Sequence, residues 1–203
     1  MLKIKVCGMC EQRNIETLMQ LDIDYIGFIF YEKSPRYVAY IPDIDSKNIR
    51  KTGVFVNAEL SVVQQKVAEG LQVVQLHGSE SPLLCTEVRK LGVETWKAFG
   101  LHPDFSWEIL EPYLDSVDYF LFDTSSQQHG GTGQVFDWSI LNDYPYDKPY
   151  FLSGGISLDN IAQALEIQDP RLVGLDLNSK FEQSPGLKDI EKLKKALKII
   201  KDE

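Results

Sequence analysis

Lys3-Ile4-Lys5-Val6-Cys7-Gly8-Met9-Cys10 is the stretch on which the fold turns. Ile4 and Val6 alternate with Lys3, Lys5 and Cys7, the period-two pattern of a strand whose two faces meet different surroundings. Gly8 breaks the run, and Glu11 to Leu21 follows with Ile15, Leu18 and Met19 at helical spacing. A strand that ends on a thiol, then a tight turn, then a helix is the opening unit of a parallel β/α fold. In such folds the C-terminal strand tips are where chemistry collects.

The same unit recurs along the chain. Further strands are expected at Asp24–Phe30, Thr52–Val56, Leu71–Leu76, Val93–Ala98, Val117–Phe122, Tyr150–Leu152 and Leu172–Leu177. Between them the pattern predicts helices at Asp43–Ile49, Leu60–Glu69, Leu83–Leu91, Phe105–Leu114 and Asp137–Leu141, then from Ser157 to Leu165. Ser81-Pro82 reads as an N-cap with proline at the first helical position. The last helix, Leu187 to Ile200, carries Ile190, Leu193, Leu197 and Ile200 on one stripe, with Lys192, Lys194, Lys195 and Lys198 as a wet face. Eight strands within 203 residues suit a closed (β/α)8 barrel as one domain over residues 1–203. A doubly wound sheet competes, but Gly8 stands alone where a dinucleotide fingerprint would need three glycines.

Composition narrows the function. A net charge of −9 and a pI near 4.9 argue against general nucleic-acid binding, and an anionic substrate would need a locally positive site. No apolar run approaches the roughly 18 residues that cross a bilayer, and no signal-peptide layout is present, so no membrane partner and a cytoplasmic location are expected. Cys7, Cys10 and Cys85 do not make a disulfide framework. The Cys7-x-x-Cys10 pair lacks a second ligand pair for zinc, so no metal is expected, and a redox dithiol remains open.

Three features could carry chemistry. Cys7 is either a small apolar filler or a reactive thiol at a strand tip. Asp123 shares a strand face with Tyr119 and Leu121. It points over the barrel axis if Phe120 and Phe122 pack on the helices, and otherwise is a turn aspartate. Ser153-Gly154-Gly155-Ile156-Ser157 and Asn178-Ser179-Lys180 follow strands seven and eight, where barrels commonly bind phosphate on backbone amides; the alternative is a plain tight turn. His77 is a loop histidine or lines the pocket, while His102 and His129 read as solvated. Gly130-Gly131-Thr132-Gly133 lacks the lysine of a phosphate loop and reads as a mobile lid. Lys5 and Asp176 lie on strands that neighbour each other once a barrel closes, and both should point inward and pair, because neither charge could be buried alone cheaply.

Taken in order, KVCGM (5–9), GFIF with SPRYV (34–38), GVFVN (53–57), VQLHG (74–78), LFDT (121–124), GGTGQVFDW (130–138), LSGGI (152–156) and GLDLNSKFEQSPGLKD (174–189) resemble the phosphoribosylanthranilate isomerase family. The resemblance implies an Amadori rearrangement in tryptophan biosynthesis. It implies a small phosphosugar substrate, no cofactor and no obligatory protein partner. It places the general base on Cys7, the general acid on Asp123 and the contact to the anthranilate carboxylate on Arg36. The phosphate falls to Gly154, Gly155, Asn178 and Ser179, with His77 and Asp176 lining the site. One departure stands out: the family usually has Ser-Ser-Gly-Val-Glu where this chain has Asn178-Ser179-Lys180-Phe181-Glu182. Lys180 in place of glycine either obstructs a backbone approach to phosphate or, the reading preferred here, adds a favourable charge. Another phosphosugar barrel, such as an indole-glycerol-phosphate synthase, and a non-catalytic phosphate-binding barrel are the alternatives. The implied roles set opposite demands. An ordinary thiol is only about 3% thiolate at pH 7, a handicap of about 2 kcal/mol that a nearby cation could remove. The acid must hold its proton when it acts, so burial that raises its pKa is expected.

Overall fold

The computed structural model describes residues 2–44, 48–124 and 137–202. Eight parallel strands run in sequence order: β1 (Lys3–Val6), β2 (Tyr25–Ile29), β3 (Arg50–Phe55), β4 (Val73–Leu76), β5 (Glu94–Gly100), β6 (Tyr119–Asp123), β7 (Tyr150–Ser153) and β8 (Leu172–Leu177). β1 pairs with both β2 and β8, so the sheet closes into the expected (β/α)8 barrel. Closure leaves no open edge among the eight strands. The register across the closing seam sets Lys5 beside Asp176 and Val6 beside Leu177.

Alternation sorts the side chains into two cores. Tyr25, Val73, Trp96, Ala98, Leu121 and Phe151 fill the tube, while Ile4, Val6, Ile26, Phe28, Phe120 and Phe122 pack outward under the helices. Asp123 therefore falls on the inward face with Leu121, as its spacing predicts. Inside, the rings of Trp96 and Phe151 stack with centroids 4.1 Å apart and Tyr25 meets both edge-on. Each such buried ring contributes roughly 1.5–3 kcal/mol by leaving water. The ring of Phe151 lies against the backbone of Gly174, where any side chain would collide with it.

The outer layer is thinner than its pattern suggests. α1 (Gln12–Leu18), α2 (Leu60–Ala68), α3 (Pro82–Arg89), α4 (Ile161–Leu165) and α5 (Ile190–Asp202) are α-helical. Ser81 caps α3 as expected, its hydroxyl accepting from the Leu84 amide at 3.3 Å. The stretches Trp107–Tyr113 and Trp138–Asp143 form only 3-10 turns. Pro112 inside the first removes a donor that a regular helix would use. The described residues of Asp43–Ile49 are not helical. Ser157 opens a turn rather than a helix, with its hydroxyl on the Asp159 amide, and α4 starts only at Ile161. Leu187 and Lys188 belong not to the last helix but to a hairpin, β9 (Glu182–Ser184) with β10 (Leu187–Lys188), turned by Pro185-Gly186. Gly186 takes φ +87°, open to glycine. α5 buries Leu193, Leu197 and Ile200 and exposes Lys192, Lys194, Lys195 and Lys198 as its stripe requires. The glycine-rich loop at 130–133 and His129 lie outside the described residues. Among those described, no helix is long and apolar enough to cross a membrane.

Candidate active site

The inward face of β1 runs Lys3, Lys5 and then Cys7, just past the strand's end. The Cys7 amide donates to the Leu177 carbonyl at 2.9 Å, which ties the thiol to the tip of β8. Room for it comes from β2: a Cβ on Gly27 would lie 2.7 Å from the Cys7 sulfur. Gly8 then turns the chain at φ +74°, and a Cβ there would stand 2.6 Å from Cδ of Arg36 and 2.9 Å from Oδ1 of Asn178. The turn after β1 thus brings Arg36 and Asn178 to the residue beside the thiol.

Below Cys7 the expected ion pair forms. Lys5 Nζ donates to Asp176 Oδ2 at 2.8 Å, with both side chains buried. Burial works against the ammonium, but Asp176 outweighs it and holds Lys5 above the ordinary lysine range. The second oxygen of Asp176 is buried without a hydrogen-bond partner among the described residues. The thiol answers to the same groups. Burial pushes Cys7 up from its usual range, Lys5 and Lys188 pull it down, and Asp176 adds to the rise. Cations do stand near the thiol, but desolvation wins.

Asp123, at the end of β6, sits in register between Gly100 of β5 and Ser153 of β7. His77 Nε2 lies 3.4 Å from Asp123 Oδ2. Gln75, buried two residues earlier on the same inward face of β4, sets its Nε2 against His77 Nδ1 at 2.8 Å. With the amide donating, Nδ1 accepts and the ring proton sits on Nε2, facing the carboxylate. The burial expected for Asp123 is partial, since its side chain keeps 20% exposure at the barrel mouth. Asp176 lies within electrostatic reach of both His77 and Asp123, so the carboxylates of β6 and β8 share one environment with the histidine after β4.

A second charged cluster stands behind Arg36. Its guanidinium engages Glu182 through Nε at 2.9 and 3.0 Å and through Nη2 at 2.6 Å. Lys188 Nζ donates to Glu182 Oε1 at 2.5 Å and to Asn178 Oδ1 at 2.8 Å. Burial works against the Glu182 carboxylate, yet Arg36 and Lys188 hold it below the usual carboxylate range. Sequence reasoning missed Glu182 and Lys188 as site residues, because the pattern drew Lys188 into a helix. The Pro185-Gly186 pair between two short polar runs is the hairpin signal that could have found them.

The two phosphate-loop candidates lie on the same mouth. Gly154 and Gly155 adopt φ +87° and +68° after β7, and a Cβ on Gly155 would meet nothing within 4 Å. Thr124, next to Asp123, hydrogen-bonds through its hydroxyl to the Gly154 carbonyl at 2.8 Å and shapes this turn from the β6 side. The amides of Gly154, Gly155, Ser179 and Lys180 donate to no other described residue. Asn178 turns its side-chain carbonyl to Lys188, and Lys180 is exposed. Cys7, Arg36, His77, Asp123, Gly154, Gly155, Asp176, Asn178 and Ser179 all lie at or just beyond the C-terminal ends of the strands, Asp176 one residue inside. His102 is exposed.

Fold and site define an enzyme-class (β/α)8 barrel with ionisable side chains and amide-rich turns gathered at one mouth. Residues 4–199 match the family model described as N-(5'phosphoribosyl)anthranilate (PRA) isomerase. The chain belongs to that family of isomerases. It is 45% identical to the N-(5'-phosphoribosyl)anthranilate isomerase of Parabacteroides distasonis, over 97% of this chain and 92% of that one. It is 38% identical to that of Phocaeicola vulgatus, over 92% and 91%. The solved phosphoribosyl anthranilate isomerase of Thermotoga maritima superposes with a TM-score of 0.86 at 29% identity, covering all of both chains. A solved phosphoribosyl anthranilate isomerase in complex with reduced 1-(o-carboxyphenylamino)-1-deoxyribulose 5-phosphate gives a TM-score of 0.82 at 27% identity, again over the whole of both chains.

Proposed function

We propose that this isomerase, acting in tryptophan biosynthesis, converts N-(5-phosphoribosyl)anthranilate to 1-(2-carboxyphenylamino)-1-deoxyribulose 5-phosphate, with Cys7 as general base and Asp123 as general acid. The observation that carries this reading is that alternation turns both side chains into one barrel mouth, flanked by amide-rich turns after β7 and β8. Asp123 gives its proton to the furanose ring oxygen as the C1′–O bond breaks, leaving an iminium at C1′. The Cys7 thiolate then takes the C2′ proton, and the C–H electrons form the C1′=C2′ bond of an enolamine. The Cys7 thiol returns its proton to C1′ while the C2′ hydroxyl gives its proton to the Asp123 carboxylate, which yields the ketone and resets both groups without any outside reactant. The iminium acidifies the C2′ proton, so a modest base suffices even with burial pushing the thiol up.

Arg36 suits the anthranilate carboxylate: Glu182 takes Nε and Nη2 and steadies the guanidinium, while Nη1 makes no hydrogen bond to another described residue. The amides of Gly154, Gly155 and Ser179 suit the phosphate. His77 orients Asp123, and Asp176 keeps Lys5 charged beneath the thiol. The test is a fluorescence assay following loss of the anthranilate–sugar substrate. Cys7→Ala and Asp123→Ala should each lose on the order of 10²–10⁴ in kcat while still binding a product analogue. Undiminished turnover in both variants would sink the assignment.

A further inference from the structure

We infer that Lys188 and Glu182 are positioning residues that set the ionisation of Cys7 through the balance of charge behind the β1 turn. The geometry is continuous. Lys188 Nζ is 2.8 Å from Asn178 Oδ1, that oxygen lies 2.9 Å from where a Cβ on Gly8 would stand, and Gly8 follows Cys7 directly. Arg36 presses on the same glycine from the other side, with its Cδ 2.6 Å from that position, and its guanidinium is forked onto Glu182. The Lys188 side chain is fully buried and that of Glu182 is 4% exposed, so water screens neither well. Arg36 and Lys188 supply two cations against the one anion of Glu182, which leaves a single positive charge beside the thiol turn. The Lys5–Asp176 pair on the other side of Cys7 is neutral as a unit.

Among the described residues, Lys5 from β1, Asp176 from β8, Lys188 from β10 and Arg36 from the segment after β2 act on the thiol, with Glu182 of β9 paired to the last two. The directions agree with the geometry: Lys188 and Lys5 draw the thiol down against its burial, and Asp176 opposes them. Once a substrate carboxylate occupies Arg36, the anion of Glu182 would be left over without Lys188. Such a leftover charge would both repel the carboxylate and keep the thiol protonated. Lys188 therefore does more than close the hairpin.

The consequence for turnover rests on Cys7 being the base, but the effect on the thiol does not, so the two are read separately. Thiolate absorbance in the ultraviolet is followed against pH as the difference from the same chain carrying Cys7→Ser, alongside kcat and KM. Lys188→Met removes one positive charge and should move the Cys7 midpoint to higher pH by on the order of 0.5–1 unit, with kcat at neutral pH down several-fold and KM up. Glu182→Gln should move the midpoint to lower pH by a similar amount. The double variant Glu182→Gln/Lys188→Met restores the wild-type charge without stranding a buried ion, and its midpoint should return to near wild type. It also serves where Lys188→Met alone folds poorly. Midpoints that do not move with this sign pattern, while the melting temperature falls, would make the cluster purely structural and overturn the inference. Midpoints that move as stated with turnover unchanged would uphold the charge effect and instead remove Cys7 as the base.

Discussion

The tube of this barrel is filled by one set of inward-facing positions, yet its two ends are unlike. Low in the tube, Tyr25, Trp96, Tyr119 and Phe151 meet edge-to-face or stacked, with centroids 4.1 to 5.9 Å apart. Toward the C-terminal ends the next inward positions are Lys5, Cys7, Gln75, His77, Asp123 and Asp176. There, buried oxygens of Gln75 and Asp176 lack partners among the described residues. A ring that loses water gains free energy in any apolar setting, whereas a buried charge or amide costs free energy unless every group is met. The lower layer thus stabilises the barrel and the upper layer spends part of that gain on a poised site. Such a division places the ionisable groups at the strand tips, where the loops begin, and the packed rings below them.

That contrast can be broken or sharpened by substitution. The largest effect should come from the lower layer. Phe151→Ala removes a fully buried ring packed on Gly174 and should cost about 3–5 kcal/mol of unfolding free energy in urea titrations. The folded fraction should keep kcat within a few-fold. A collapse of kcat in folded Phe151→Ala would show that the two layers are not separable. Gly27→Ala acts the other way. Its new methyl would sit 2.7 Å from the Cys7 sulfur, and a thiol displaced by about 1 Å is enough for up to 10²-fold in kcat. Stability should fall by far less than in Phe151→Ala.

The smallest effect concerns a thiol outside the tube. Burial holds Cys85 up at about 11, so between the ordinary thiol range and about pH 11 the unfolded chain ionises first. Its contribution is therefore present in full below the unfolded pKa and lost as pH rises through the folded one, on the order of 2 kcal/mol in all. Cys85→Val should flatten the alkaline limb of the stability curve in urea titrations. An unchanged limb would mean that other groups, such as the buried Tyr144 and Tyr150, govern it.

How far the pattern reached depended on how local the cause was. Strand positions came through because alternation is set by the backbone itself, and the same alternation turned Asp123 inward and paired Lys5 with Asp176. Helices fared worse. The run at Phe105–Leu114 has helical spacing, but Pro112 leaves it a 3-10 turn, and Ser157 spends its hydroxyl on a local turn four residues ahead of α4. Lys188 shows the deeper limit. Pro185-Gly186 signals a hairpin that would set it near Glu182, but its burial against Glu182 and Asn178 depends on where that hairpin folds after β8.

Residue order alone determined the eight-fold repeat, the inward or outward sense of each strand residue and the kinds of group at each strand tip, because these follow from backbone geometry over a few residues. The tertiary structure alone decided that Arg36, Glu182 and Lys188 form one charged cluster behind Cys7, that His77 faces Asp123, and that burial outweighs the cations at the thiol. Those outcomes are sums of desolvation and Coulomb interactions among residues far apart in the chain, and such sums exist only once the barrel has closed.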